Sequence, residues 1–482
     1  MHLLDTIIIA ALYVYIFVMI VYLILENRET STTFSWLLVF IFLPVVGIIF
    51  YFLFGRGLKR KRKKYYIHQD LANRLSETHH LLIKQQKQVI KTLHEKYISS
   101  ENRKLIRLLY RNSDSILTRL NSVRVFFNGK EKFDVLINDL KKAQHYIHME
   151  YFIWKADQLT GRVIDVLKER ALSGVQVRIL YDSVGNYLPA RYLKKLRRSG
   201  IQIYPYYNFL SPLKLHTLNY RNHRKIIIID GITGYMGGMN MGEEYITGGK
   251  RFPAWRDTHI RIQGESVFVL QEVFSVSWTN TTKEVPDIKT LIPTQLPELV
   301  NTHIQVTASG PDSQWESIKQ LYFLLISSAD QSIYIQTPYF IPDASIVMAL
   351  KTAALSGTDI RVMLTGWVDK RLPYWAAFTY LKDLLDAGVR FYYYTGGFMH
   401  AKTIVVDAKT CSVGTANMDI RSFTLNYEIN ALIYDEDIAK QMICQFITDL
   451  DSSREFTRNS YDQLSRPRRL RNSLARLFAP LL

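Results

Sequence analysis

At 482 residues the chain is long enough for two or three domains with substantial cores. Its 61 Lys and Arg against 43 Asp and Glu leave a formal net charge of +18, which points to a phosphate-bearing partner, either nucleic acid or anionic lipid. Two cysteines, Cys411 and Cys444, exclude a disulfide framework and a cysteine-based metal site.

The amino terminus selects between the partners. Residues 6–25 and 34–54 carry no charged side chain, and each would be about 30 Å long as a helix at roughly 1.5 Å per residue. Two membrane spans are expected. The first lacks the basic leader and small-residue cleavage site of a signal peptide. Pro44 and Gly47 are tolerated in a membrane helix. The link 26–33 is poor in basic residues, whereas Arg56 and the run Lys59-Arg-Lys-Arg-Lys-Lys64 follow the second span. By the positive-inside rule this predicts a hairpin over residues 1–64 with both ends in the cytoplasm, holding a cytoplasmic body at the inner face of a membrane.

Residues 65–121 show Leu, Ile and Tyr at helix-like intervals and read as a helical connector, with His79 and His80 on its solvated side. Phe126-Phe-Asn-Gly-Lys130 reads as a strand entering a tight turn, where the globular body begins. That body is repeated. Ala171-Leu-Ser-Gly174 recurs as Ala354-Leu-Ser-Gly357, each leading into a β-branched run. Tyr146-Ile-His-Met-Glu-Tyr-Phe-Ile153 echoes Tyr334-Ile-Gln-Thr-Pro-Tyr-Phe-Ile341, an alignment that sets Glu150 opposite Pro338 and argues against paired roles. Two α/β halves with mixed sheets are expected, 122–290 and 291–465, forming an α/β sandwich pair around one site. The first half carries an insertion over 208–222, expected to border a lipid entrance. The tail 466–482 mixes Arg with Leu and Phe at helical spacing, which suits either a membrane interface or docking on the body.

The chemistry also occurs twice. Asn222-His-Arg-Lys-Ile-Ile-Ile-Ile-Asp230 and His400-Ala-Lys-Thr-Ile-Val-Val-Asp407 share the spacing His-x-Lys-x-x-x-x-Asp on β-branched runs. On a strand His and Lys would share a face, about 7 Å apart. Asp230 and Asp407, an odd number of residues away, would face oppositely and are read as supporting members of the catalytic set. Gly237-Gly-Met-Asn240 and Gly414-Thr-Ala-Asn417 follow as small-residue turns that let backbone and an Asn amide approach an anion.

This pairing resembles the phospholipase D superfamily, whose two His-Lys-Asp motifs form one site. The segments Asn219-Tyr-Arg-Asn-His-Arg-Lys225, Asp369-Lys-Arg-Leu-Pro-Tyr-Trp375, Gly396-Gly-Phe-Met-His-Ala-Lys402 and Gly414-Thr-Ala-Asn-Met-Asp-Ile-Arg-Ser422, with the closing Ala475-Arg-Leu-Phe-Ala-Pro-Leu-Leu482, resemble bacterial cardiolipin synthases. Thr415 stands where that pattern normally has Ser. The resemblance implies condensation of two phosphatidylglycerols to cardiolipin and glycerol, with no metal or other cofactor, in a multi-pass protein of the bacterial cell membrane, and no nucleic-acid partner. It further implies His223 as nucleophile, His400 as acid and base, and Asp257 and Glu428 as carboxylates that each cross to the other half's histidine.

Phosphodiester exchange needs a nucleophile, donors for the crowded phosphoryl oxygens and a proton for the leaving alkoxide. His223 and His400 supply the first and last, and Lys225, Lys402, Asn240 and Asn417 the donors. A hydrolytic phospholipase D would use the same groups, and a nuclease of the superfamily would suit the charge. The two apolar segments favour lipid.

Overall fold

The computed structural model describes residues 2–25, 30–43, 47, 51, 100–206, 219–286 and 301–479. The chain divides into an N-terminal unit containing 1–61 and a body that contains Arg62–Tyr207 and Tyr220–Leu482. In the N-terminal unit, helix His2–Leu25 and helix Thr30–Phe42 pack with Leu23 and Phe40 fully buried, and Trp36 meets the edge of Tyr51 with ring centroids 5.1 Å apart. Among the described residues no helix is long and apolar enough to cross a membrane; in helix His2–Leu25 the side chains are described without a break only from Tyr13 onward. Much of the expected second span, the basic run 59–64, connector residues 65–99 with His79 and His80, and insertion residues 208–218 lie outside the described residues.

The described end of the connector is helical over Ser100–Ser113, but the helix does not continue to residue 121. Leu117–Thr118 is a short strand that joins the second half's sheet antiparallel to His303–Ser309.

The first half is built on a seven-stranded mixed sheet, ordered Asn121–Phe126, His259–Gly264, Thr233–Gly237, Lys225–Ile229, Tyr146–Tyr151, Gln176–Tyr181, Gln202–Pro205. The second repeats the arrangement, with Thr410–Gly414, Thr403–Val406, Ser332–Gln336, Asp359–Thr365 and Arg390–Tyr394 side by side in a larger sheet. The motif strands sit centrally because their Ile and Val side chains are buried on both faces, Ile226, Ile227, Ile228 and Ile404 completely so. The repeated Ala-Leu-Ser-Gly is the end of a crossover helix in each half. Helix Gln158–Leu172 starts at the Asp157 cap and stops before Gly174 at φ 90°, and helix Ala344–Leu355 starts at the Asp343 cap and stops before Gly357 at φ 101°. Left-handed backbone at those glycines ends the helix and feeds the next parallel strand.

Between the halves lies a shared core of Ile226, Ile228, Met236, Ile260 and Ile262 from one sheet with Val306, Val405, Val413, Ile429 and Ala431 from the other. The two sheets therefore cannot separate without exposing a continuous apolar face.

The sheet register corrects the alignment that set Glu150 opposite Pro338. Glu150 pairs with Ile226 and Gln336 with Thr403, each three residues beyond a motif histidine, so the counterpart of Glu150 is Gln336. The polar group has been traded rather than lost. Glu150 accepts from Asn222 Nδ2 at 2.6 Å and from Ser277 at 3.1 Å, while Gln336 donates to Asp449 at 2.7 Å, with Asp449 paired to Arg256 at 3.0 Å. The tail forms helix Arg466–Arg476, which docks on the body, Arg471 lying 4.4 Å from the Trp375 ring centroid and Arg476 4.8 Å from that of Tyr380.

Candidate active site

Two short parallel ladders stitch the halves at the motifs. Arg221–Asn222, just before the first histidine, pairs with Asn426 and Tyr427, and Phe398–Met399, just before the second, pairs with Trp255–Arg256. Each ladder continues by one backbone bond, from His223 N to Tyr427 O at 2.9 Å and from His400 N to Arg256 O at 2.7 Å. The residue after each acceptor is a carboxylate, so the register places Glu428 beside His223 and Asp257 beside His400. His223 Nδ1 lies 3.0 Å from Glu428 Oε1, and His400 Nδ1 lies 2.7 Å from Asp257 Oδ2. Neither histidine sits inside its strand, as the motif spacing had predicted; both precede it, on the segment that reaches across.

A carboxylate on Nδ1 leaves Nε2 as the ring nitrogen for chemistry. Lys225 and Lys402 are buried and each donates to the carbonyl oxygen of its own motif histidine, at 2.6 Å for Lys225. Burial lowers Lys225 to about 7, with Lys402 lowering it further against Glu428, and burial lowers Lys402 to about 8. Burial likewise holds His223 down at about 4 despite Glu428, with both lysines contributing. His400 is also pushed well below its ordinary value, by burial and then by Lys402, Lys225 and His223. Four nitrogen groups that disfavour one another's charge form a place built for an anion.

Asp230 and Asp407 do not reach this place. Asp230 accepts from the backbone N–H groups of Gln144, His145 and Tyr146, each at 2.8 Å, and Asp407 from those of Asp330, Gln331 and Ser332 at 2.7–2.9 Å. Each holds the far end of its motif strand to the start of the neighbouring strand, at φ 53° and 52°. Both aspartates thus act on backbone, away from the histidines, as the odd spacing within each motif predicts.

The turns after the two motifs meet the protein's own carboxylates. A Cβ on Gly238 would stand 2.0 Å from Asp257 Oδ1, so the first turn makes room for a carboxylate of the protein itself. At the matching position Thr415 donates its hydroxyl to Glu428. Asn240 accepts from Ile153 N at 3.2 Å and donates to Tyr245 at 3.0 Å. Asn417 donates to Asp419 at 3.0 Å and lines a cavity of about 910 Å³ that opens onto His223. Arg221 and Arg421 line the same cavity and were not singled out from the sequence. Their signal was a basic residue beside each motif, in Tyr220-Arg-Asn222 and Asp419-Ile-Arg421. Among the described residues no cluster of three or more His, Cys, Asp or Glu could hold a metal ion.

Residues 136–249 and 322–450 match the family described as "Cardiolipin synthase, PLD-like domain", and residues 11–56 match "Phospholipase_D-nuclease N-terminal". The chain is 43% identical over 469 residues to the major cardiolipin synthase ClsA of Bacillus subtilis, covering 95% of each. It is 39% identical over 492 residues to a cardiolipin synthase of Listeria monocytogenes, covering both chains completely. The fold is also that of phosphatidylserine synthase from Haemophilus influenzae, with a TM-score of 0.58, 15% identity and coverage of 79% of this chain and 100% of the other. With both motif-bearing halves matched and such likeness along the whole length, the chain belongs to the cardiolipin synthase family of phospholipase D-like proteins.

Proposed function

We propose that the chain transfers a phosphatidyl group from one phosphatidylglycerol to another, giving cardiolipin and glycerol. The observation that carries this reading is the pair of crossed dyads, His223–Glu428 and His400–Asp257, around four mutually repelling nitrogen groups. His223 Nε2 attacks phosphorus; the P–N bond forms as the P–O bond to glycerol breaks, and His400 gives its Nε2 proton to the departing alkoxide. A second phosphatidylglycerol then gives its hydroxyl proton to His400 while its oxygen attacks phosphorus and the P–N bond breaks, restoring both histidines. The substrate phosphodiester brings the negative charge that favours a protonated His400 and charged Lys225 and Lys402. Asn417, on the cavity, is the better placed of the two Asn donors.

Helix His2–Leu25 and the apolar stretch 34–54 form a membrane hairpin in this reading, with the basic run 59–64 on the cytoplasmic side and the catalytic body at that face. Residues 1–64 are then the anchor, 65–121 the connector, 122–290 and 291–465 the two halves, and 466–482 the tail.

Purified full-length protein in phosphatidylglycerol vesicles, followed by mass spectrometry of lipids and water-soluble products, tests the reaction. Cardiolipin and free glycerol are expected in near-equal amounts with little phosphatidic acid. Phosphatidic acid as the main product would replace this reading with a hydrolase.

A further inference from the structure

The cavity that opens onto His223 reaches the surface between one loop from each half. Both loops hold the same place in the repeat. Each follows the strand fed by Ala-Leu-Ser-Gly, Gln176–Tyr181 in one half and Asp359–Thr365 in the other, and each runs into a Leu-Pro pair, Leu188-Pro189 or Leu372-Pro373, at the start of the next helix. Val184 and Tyr187 line the cavity from the first loop, and Lys370, Arg371 and Leu372 from the second. The apolar members stay in contact with solvent. Tyr187 is 61% and Leu372 42% exposed, and Val184 and Trp367 on the same two loops are exposed as well.

Fixed backbone holds these side chains out. Asp182 accepts from Val184 N at 2.9 Å and Gly185 N at 3.1 Å, and Tyr187 N donates to Trp154 O at 2.9 Å. In the second loop Gly366 N donates to Tyr394 O at 2.8 Å, the Trp367 indole N–H donates to Thr395 O at 2.9 Å, and Asp369 accepts from Lys370 N and from the Tyr339 hydroxyl. Large apolar side chains kept in water around one cavity mark a surface that is covered when the protein works. Charge decides what covers it. Lys370 and Arg371 are exposed on the second loop, whereas that loop's carboxylate, Asp369, is turned onto Tyr339 and the loop's own backbone. A second copy packed face to face would set like charges against one another there, and an anionic lipid surface complements them. Tyr and Trp are also the side chains favoured at the headgroup level of a bilayer.

Resting on the lipid reaction proposed above, we infer that these two loops are the surface on which the catalytic body seats in an anionic bilayer. Val184, Tyr187, Trp367 and Leu372 enter the boundary between headgroups and acyl chains, and Lys370 and Arg371 meet phosphate headgroups around them. A phosphodiester then passes from the bilayer to His223 along the cavity wall while its acyl chains stay among apolar side chains, and bulk water is kept from the entrance. The first loop, 182–189, supplies no cation and the second supplies two, so the repeat has divided the parts of this contact between its halves.

Nitroxide spin labels test this in full-length protein carrying C444S, which removes the exposed cysteine and leaves the buried Cys411. Labels are attached through Y187C and L372C beside the cavity and, as controls, through L172C and L355C, the repeated leucines at the opposite end of the same strands, which are exposed too. The reading is collision with lipid-soluble oxygen relative to collision with a water-soluble nickel chelate present on both sides of the bilayer. In vesicles of mixed phosphatidylglycerol and phosphatidylcholine this ratio is expected to be at least about threefold higher at 187 and 372 than at 172 and 355. K370Q/R371Q in the same vesicles is expected to lower the ratio at 187, and pure phosphatidylcholine to lower it similarly. Equal ratios at all four positions overturn the inference, as does a ratio at 187 that ignores both lipid charge and K370Q/R371Q. Spin–spin broadening between labels at 187, which would put a second copy on this surface, overturns it as well. Cardiolipin formation is measured separately on unlabelled protein: seated loops without cardiolipin overturn the proposed reaction and leave the seating established.

Discussion

The two halves present the same dyad with different support. In the second half Glu428 is held by His223, by the Thr415 hydroxyl and by Asn426 Nδ2 at 3.1 Å, and in spite of burial His223, Lys225 and Thr415 keep it below its ordinary value. In the first half the position of Thr415 is taken by Gly238, which offers Asp257 space and no side-chain donor. Burial therefore dominates, and Asp257 rises to about 7 although Lys402 and the N–H of Thr258 oppose it. In the proposed reaction a fixed carboxylate suits His223 as nucleophile, whereas a carboxyl that titrates near neutrality suits a histidine that must give and take a proton. Duplicated halves can thus divide labour through a single hydroxyl.

The largest effect separates the histidines themselves. H223A and H400A are each expected to lose at least about 10⁴-fold in turnover, by analogy with other two-step transfer enzymes. With phosphatidylglycerol labelled at phosphorus and an alkaline denaturing quench, under which a P–N bond survives, label should remain covalently on H400A and be absent from H223A. The reverse pattern would exchange the two roles.

Next come the carboxylates. E428Q should lower kcat by about 10²–10³-fold and D257N by less, because Asp257 is already partly protonated near neutral pH. Equal losses would mean that the halves are equivalent in electrostatics as well as in shape.

The lysines set the alkaline limb. Lys225 at about 7 and Lys402 at about 8 in the empty site lie below the ordinary 10.5, so kcat/KM should fall as pH rises through about 7 to 8, while kcat should hold to higher pH because the bound phosphodiester favours the charged lysines. Stability should move the other way. Between these values and 10.5 the unfolded chain binds more protons than the folded one, so unfolding becomes harder as pH rises across that window. A kcat/KM profile flat to pH 9.5 would show lysines with ordinary acidity.

The smallest effect is the most specific to the comparison. T415A removes the hydroxyl from Glu428 and should lower kcat about tenfold, the loss expected for one hydrogen bond to a charged group, with T415S restoring it. If T415A behaves as wild type, the asymmetry between the halves has another origin.

Much of this site was legible because its chemistry is local in sequence. The His-x-Lys spacing, the repeated Ala-Leu-Ser-Gly and the carboxylates after each motif all survive as short strings. What failed to read was long-range or degenerate. Tyr146–Tyr151 and Ser332–Gln336 are both apolar runs, and sliding one by two residues keeps every side chain on its face, so sequence similarity chose Pro338 where the hydrogen bonds choose Gln336. The cavity wall beside His223 is assembled from segments about 200 residues apart, and the closeness of Gly238 to Asp257 leaves no trace in a short string.

The crossed pairing also imposes an order of events during biosynthesis. His223 is separated from Glu428 by 205 positions, so at about 5–20 residues per second a ribosome needs roughly 10–40 s after making the histidine to supply the group that orients it. Asp257 waits in the same way for His400, 143 positions later. Throughout that interval the nascent first half carries an unaligned imidazole, and the dyad that serves the proposed reaction is complete only when the chain is nearly finished.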